Sequence, residues 1–301
     1  MRLDWLGYPE TVLALWCPVS VVGLWRLASV GVARLGARER FMVAFGAAVT
    51  PLFALMVPYV PDSPLRNALP WRPPLGWGIS NWTVDGDMST FASAVTALAT
   101  VAPLLSLAVS FVAGGVQVVR TKNAIRRLGP RRCGDVWVVD SGRTPAGFVA
   151  CTEGLLRPRV IVGSAMLESP EATTIVSHER SHARARHPLL IFFATCALRS
   201  WWWIPGYRRL LRQLSTAAEL WADHDTRVAV GAPSVARALH AHLSSELSIA
   251  GGSWVGFSDP HIELRQRIAA LASPLSVAST CQKYLVRCGV VLAMIVVVVL
   301  L

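Results

Sequence analysis

His178-Glu179-Arg180-Ser181-His182 reads His-Glu-x-x-His, and its reading decides what the surrounding chain must build. On a helix, residues four apart share one face, so both imidazoles reach one zinc ion while Glu179 stands beside the attacking water. With seven His and nine Glu in 301 residues, chance supplies roughly 0.005 such matches. The motif therefore implies zinc-dependent peptide hydrolysis with Zn2+ as cofactor, Glu179 taking a proton from water and passing it to the leaving amine.

The helix that carries the motif has its own boundaries. Ser169-Pro170-Glu171 offers a capping hydroxyl, a proline suited to the first helical position and an early acid. The predicted helix runs from about Pro170 to His187, with Pro188 marking its end and Arg180, Arg184 and Arg186 complementing the dipole. Ile175 and Val176 mark a half-buried face, where His and Glu are poor choices unless a metal satisfies them.

A catalytic zinc takes three protein ligands and keeps one position for water. His187 lies nine residues after His178, without the glycine or the spacing of ten in the metzincin pattern, and reads as a helix-terminal histidine. The better third ligand is Glu219, 37 residues beyond His182 and expected to open another helix. Asp223 follows one turn later on the same face, placed in the second shell to orient a ligand histidine through its free ring nitrogen. His224 and Asp225 are rivals for these roles.

Composition places the chain in a membrane setting. Hydrophobic residues make up 53% and charged residues 16%, against about 25% charge in an average soluble domain, and the mean hydropathy is +0.46. Apolar stretches at Thr11–Val32, Phe41–Val60, Phe91–Val119 and Tyr284–Leu301 approach the roughly 20 residues of a bilayer span. Arg26 and Arg287 interrupt the first and last and are expected to snorkel, or the first span ends near Trp25. No cleavable signal is evident in the first ten residues, so the first span is expected to stay as an anchor.

Arg34, Arg38 and Arg40 crowd the first connection, and Arg120, Lys122, Arg126, Arg127, Arg131 and Arg132 follow the third span. By the positive-inside rule both face the cytoplasm, while the loop 61–90, with Trp71, Trp77 and Trp82, lies outside. The organisation expected is three transmembrane helices with their external loop in residues 1–119, a cytoplasmic metallopeptidase domain in 120–283 and a C-terminal transmembrane helix in 284–301. That is a multi-pass protein of the cytoplasmic membrane. The net charge of +11 is then mostly a topology signal, and no nucleic-acid reader motif accompanies it.

Within the domain, Asp135–Asp140, Gly147–Cys151 and Arg159–Gly163 read as strands ahead of the zinc helix, one edge of which could accept an extended peptide. Leu189–Ile204, with Trp201-Trp202-Trp203, reads as a core helix or an embedded hairpin element that brings Glu219 back to the histidines, Pro205-Gly206 supplying the turn. Ala236–Ser248 and Ile262–Leu271 read as further helices. The six cysteines show no metal spacing and read as core or membrane residues.

In order and content the chain resembles the BlaR/MecR-type membrane metallopeptidases, the gluzincins of bacterial β-lactam sensor-antirepressors. The resemblance rests on three apolar stretches, Gly154-Leu155-Leu156-Arg157-Pro158-Arg159-Val160-Ile161-Val162, the His178–His182 motif, Trp203-Ile204-Pro205-Gly206-Tyr207, Glu219–Asp223, and Glu263-Leu264-Arg265-Gln266-Arg267-Ile268 before a last apolar stretch. It implies a polytopic α-helical membrane protein with a cytoplasmic α+β zincin domain, with His178, His182 and Glu219 as zinc ligands and Glu179 as general base. It also implies signalling through cleavage of the protein itself or of a cytoplasmic transcriptional repressor.

The given chain ends at Leu301, directly after the last expected span. On that reading the external penicillin-binding sensor domain of the family is missing, and the stimulus comes through the membrane, the external loop or another protein. The expected partners are a protein substrate, the lipid bilayer and a second copy in a homodimer, with no direct nucleic acid. Two other functions fit the same residues, an HtpX-like membrane quality-control protease and a non-catalytic membrane signalling scaffold. An oxyanion-stabilising residue is expected among His224, His240, His242 and the arginines.

Overall fold

The computed structural model describes residues 17–32, 35–56, 90–145, 148–248 and 260–272. Three helices, α1 (Cys17–Val32), α2 (Ala37–Met56) and α3 (Thr90–Arg127), precede a small mixed sheet. The strands are β1 (Arg131–Cys133), β2 (Val136–Val139), β3 (Ala150–Glu153) and β4 (Arg159–Gly163). After a single turn, α4 (Ser164–Leu167), come α5 (Ala172–Ala185), α6 (His187–Ser200), α7 (Tyr207–Val230), α8 (Ala232–Ser248) and α9 (Pro260–Ala272).

The sheet order is β1-β2-β4-β3, with β2 and β4 parallel and both outer pairs antiparallel. Val136, Val160 and Val162 alternate toward one face and bury against Val176 of α5, as a period of two on the strands requires. The third strand lies at Ala150–Glu153, later than the expected Gly147–Cys151, and the pair Arg131–Cys133 adds a strand that the sequence pattern did not indicate. β3 occupies an edge, and β4 is its one partner among the described residues.

The larger core is helical. On α7, Leu210, Leu214, Ala217, Ala218 and Trp221 recur at helical spacing and bury against Phe41, Ala44 and Ala48 of α2, Trp25 of α1, and Ala194 and Leu198 of α6. Glu219 lies two residues from Trp221, about 160° round the helix. The same helix thus packs α2 with one face and turns its carboxylates toward α5 with the other. Glu219 sits in the middle of α7, twelve residues past its start at Tyr207, and not at a helix opening.

This arrangement corrects the polytopic fold expected above. Among the described residues one helix, Val101–Arg127 within α3, is long and apolar enough to cross a membrane. The expected second span became α2, whose apolar face is sealed by protein, and its N-terminal turn buries Glu39. The expected first span, Thr11–Val32, is described from Cys17 on, where it forms α1 and buries Trp25 in the helical core and Val22 with Trp201 and Ile204. Arg26 on α1 needs no lipid interface, since its guanidinium donates to the Pro205 carbonyl at 3.3 Å. The molecule is mostly helical with one small mixed sheet. Most of the external loop 61–90 and the C-terminal span 284–301 lie outside the described residues.

The turns that aim the site also differ from expectation. Glu171, not Ser169, stands at the N-terminus of α5, and no side chain caps it; the Ser169 carbonyl accepts from Ala172 N–H instead. At the other end Arg186 adopts a left-handed conformation, φ 54° and ψ 35°, so α5 stops there and His187 opens α6 with Pro188 in its first turn. Gly206 takes φ 107° at the start of α7. A Cβ there would also press on Arg26 and Val22 at about 3 Å.

Candidate metal centre

α5 and α7 cross with their polar faces together. His178 and His182, one turn apart on α5, point their Nε2 atoms to within 3.1 Å of each other. Glu219 comes from α7, its Oε2 lying 3.2 Å from His178 Nε2 and its Oε1 3.4 Å from His182 Nε2. Two imidazole nitrogens and a carboxylate oxygen thus converge on one point. A tetrahedral ion with bonds of about 2.0–2.1 Å separates its ligand atoms by about 3.3–3.4 Å. The donor set and its spacings fit Zn2+.

Each donor is held from behind. Asp223 Oδ1 lies 3.0 Å from His178 Nδ1, so the carboxylate one turn beyond Glu219 fixes the ring at the nitrogen that does not face Glu219. Arg267 of α9 grips Asp223 with two bonds, Nε to Oδ2 at 2.7 Å and Nη2 to Oδ1 at 2.8 Å, and reaches Glu219 Oε2 with Nη1 at 3.2 Å. This fork shares one positive charge between the buried Asp223 and the half-buried Glu219. Ser181, fully buried between His178 and His182, donates to Asp225 Oδ2 at 2.7 Å and ties α5 to α7 again.

The electrostatics follow from that packing. Burial alone would lower the His178 pKa, yet the bonds with Asp223 and Glu219 outweigh it and carry it up to about 10. Burial likewise opposes ionisation of Glu219, and the charges of His182 and Arg267 with the bonds from both histidines hold it well below the usual carboxylate range. Asp223 is shifted down in the same way, burial being overcome by His178 and Arg267. The cluster attracts positive charge, as a cation site must.

Glu179 projects from α5 toward the edge strand rather than into the donor cluster. Thr152 Oγ1 of β3 lies 2.7 Å from Glu179 Oε2 and 2.8 Å from the Glu179 carbonyl, so one hydroxyl orients the carboxylate and ties the helix to the strand. Next to it Cys151 is driven up to about 12, by burial first and then by the charges of Glu179 and Glu153. It stays a thiol and is no nucleophile at neutral pH. Glu179 thus keeps its carboxylate on Thr152, next to the candidate donors on the same helix.

Of the residues singled out from sequence, His178, His182, Glu219 and Asp223 are brought together, and Glu179 turns to Thr152 beside them. His224 is exposed, and Asp225 serves Ser181. Arg267, Thr152 and Ser181 were not recognised as part of the site. One arginine among 29 basic residues, a serine between two motif histidines and a threonine on a short strand carry no spacing signal of their own. No family model, curated protein or solved structure matches this chain, and the centre is read from its own geometry.

Proposed function

We propose that the protein is a zinc metallopeptidase of the BlaR/MecR type, cleaving peptide bonds in a protein substrate or in itself, in the service of signalling or repressor inactivation. The observation that carries this reading is the meeting of His178 Nε2, His182 Nε2 and the Glu219 carboxylate within 3.4 Å, with Glu179 adjacent on the same helix. His178, His182 and Glu219 would hold the ion. When bound, zinc supplies Lewis acidity toward a water and the scissile carbonyl.

The chain's own residues account for the remaining work. Glu179 accepts the proton of the attacking water and returns it to the leaving amine, and Thr152 holds that carboxylate at the edge strand, where a paired peptide would lie. The edge of β3, which no other described strand pairs, suits an extended peptide added as a further strand. A peptide paired there runs past Thr152 and so past Glu179, which explains why the proton carrier is tied to the strand. Asp223 and Arg267 hold His178 and Glu219 in register, so that little reorganisation is left for the reaction.

Among the described residues, the helix that is long and apolar enough to cross a membrane extends the reading to a place in the cell. Val101, Leu105, Val109, Val112, Val116 and Val119 form an exposed apolar stripe along α3, suited to a lipid bilayer. Arg120, Lys122, Arg126 and Arg127 close the helix, and by the positive-inside rule the catalytic centre that follows lies on the cytoplasmic side. A cytoplasmic transcriptional repressor is then a substrate within reach.

Glu179→Gln tests the enzymatic reading. The amide keeps the size and most of the hydrogen bonding but no longer accepts a proton, so zinc content should stay at that of the wild type while peptide cleavage falls by at least about 100-fold. The measurement is self-cleavage or loss of a cytoplasmic target at equal protein abundance, with zinc assayed on the same preparation. Undiminished cleavage by a zinc-loaded Glu179→Gln protein would reject the peptidase and leave a structural metal site in a signalling scaffold.

A further inference from the structure

Behind His182 lies a third imidazole, that of His187. On a continuous helix, residues 182 and 187 would stand about 140° apart and their rings could not meet. The left-handed turn at Arg186 ends α5 one residue early and folds His187 back beneath His182. The two rings lie 4.9 Å apart at 71°, with Nδ1 facing Nδ1 at 2.9 Å. This contact is set by the break in the helix, at a residue type that seldom adopts such a conformation.

One proton lies between those two nitrogens, and its place decides what His182 can do. The Nε2 atom of His182 faces His178 and Glu219. To ligate a metal through Nε2 as a neutral ring, His182 must carry its proton on Nδ1 and donate it. If His187 were the donor instead, the His182 proton would sit on Nε2 and block the lone pair. His187 is 1% exposed, and its Nε2 has no hydrogen-bond partner among the described residues. It is enclosed by Phe41 and Trp221, each with ring centroids 4.8 Å away. A buried polar atom left without a partner is costly, and such atoms are kept where they have a task.

We propose that His187 is a positioning residue for the metal centre: its bare Nδ1 accepts the Nδ1–H of His182 and holds that ligand in the tautomer whose Nε2 lone pair faces the ion. The inference rests on the zinc reading above. His178 receives the same service from Asp223 at 3.0 Å, so the two ligand histidines are oriented by different chemistries. The difference has a physical reason. Asp223 has Arg267 to share its charge, whereas a carboxylate at 187 would sit against the rings of Phe41 and Trp221.

The test compares wild type, His178→Ala, His187→Phe and His187→Asn by zinc competition against a chelator, with thermal unfolding of each metal-free protein. Phenylalanine fills the pocket and removes the acceptor, so zinc affinity should fall by about 10- to 100-fold. Asparagine offers a carbonyl near the place of Nδ1 and should recover most of that loss. Nitrogen NMR of labelled histidines in zinc-loaded wild type should find His182 protonated on Nδ1 and His187 protonated on Nε2 alone. A folded His187→Phe protein with wild-type zinc affinity overturns the proposal, as does a His187 proton on Nδ1. The NMR result stands whether or not the variants fold. A wild type that binds no zinc, or a His178→Ala protein that binds it undiminished, would instead overturn the metal reading itself.

Discussion

α2 and α3 are both apolar, both long and both interrupted by a proline, Pro51 in one and Pro103 in the other, yet the fold treats them in opposite ways. α2 lies under the metal centre. Phe41 is fully buried, touching His187 at 4.8 Å and Trp221 at 5.7 Å. α3 lays Phe111 against Phe192 and Phe193 of α6 but leaves Val109 66% and Val112 68% exposed. Burial of apolar surface is non-directional. An apolar helix announces that something will cover it, and only its neighbours in space say whether that is protein.

The sharpest way to break this contrast is Phe41→Ala. Removal of a fully buried phenylalanine should cost about 3–5 kcal/mol in chemical denaturation. Zinc affinity should fall with it, because the ring that walls in His187 is lost. A cost near zero would mean that α2 is not part of the core beneath the site.

A smaller effect separates the polar centre from both helices by pH. In the metal-free protein the His178 pKa is raised from 6.5 to about 10. The stability it contributes is therefore fully present below about pH 6.5 and is lost as pH rises toward 10. The unfolding temperature of metal-free protein should drop across that window. Zinc-loaded protein should not share the drop, since the metal takes the place of the proton on His178. Parallel curves for the two forms would remove His178 from the metal's ligands.

The least effect is expected on the exposed stripe. Val112→Ala should change stability by no more than about 0.5 kcal/mol, measured beside Phe41→Ala under the same conditions. A loss comparable with that of Phe41→Ala would show that protein, such as a second copy of the chain, covers this face of α3.

The donor histidines were legible because their relation is local. Four residues on one helix put His178 and His182 on one face whatever the rest of the chain does. Asp223 could be placed relative to Glu219 by the same rule. The step from α5 to Glu219 was harder, since 37 residues intervene and only the order of motifs pointed to it. Arg267, 44 residues beyond Asp223 in α9, had no such guide. Its role comes from α9 packing beside α7, which no periodicity encodes.

The sequence by itself determined the chemistry within each element: two imidazoles and a glutamate on one helix, two carboxylates a turn apart on another, and apolar stretches long enough to need cover. Tertiary structure decided everything that depends on how elements meet. It made α2 a floor of the metal centre and left α3 with an open apolar face, two outcomes that hydropathy alone cannot separate. It also decided the partner of His182, because the left-handed turn at Arg186 is made without the glycine or asparagine that would have announced it. Periodic contacts along a helix are set by 3.6 residues per turn and can be counted, whereas contacts between elements depend on which buried surfaces fit together, and that becomes definite only when the whole chain packs.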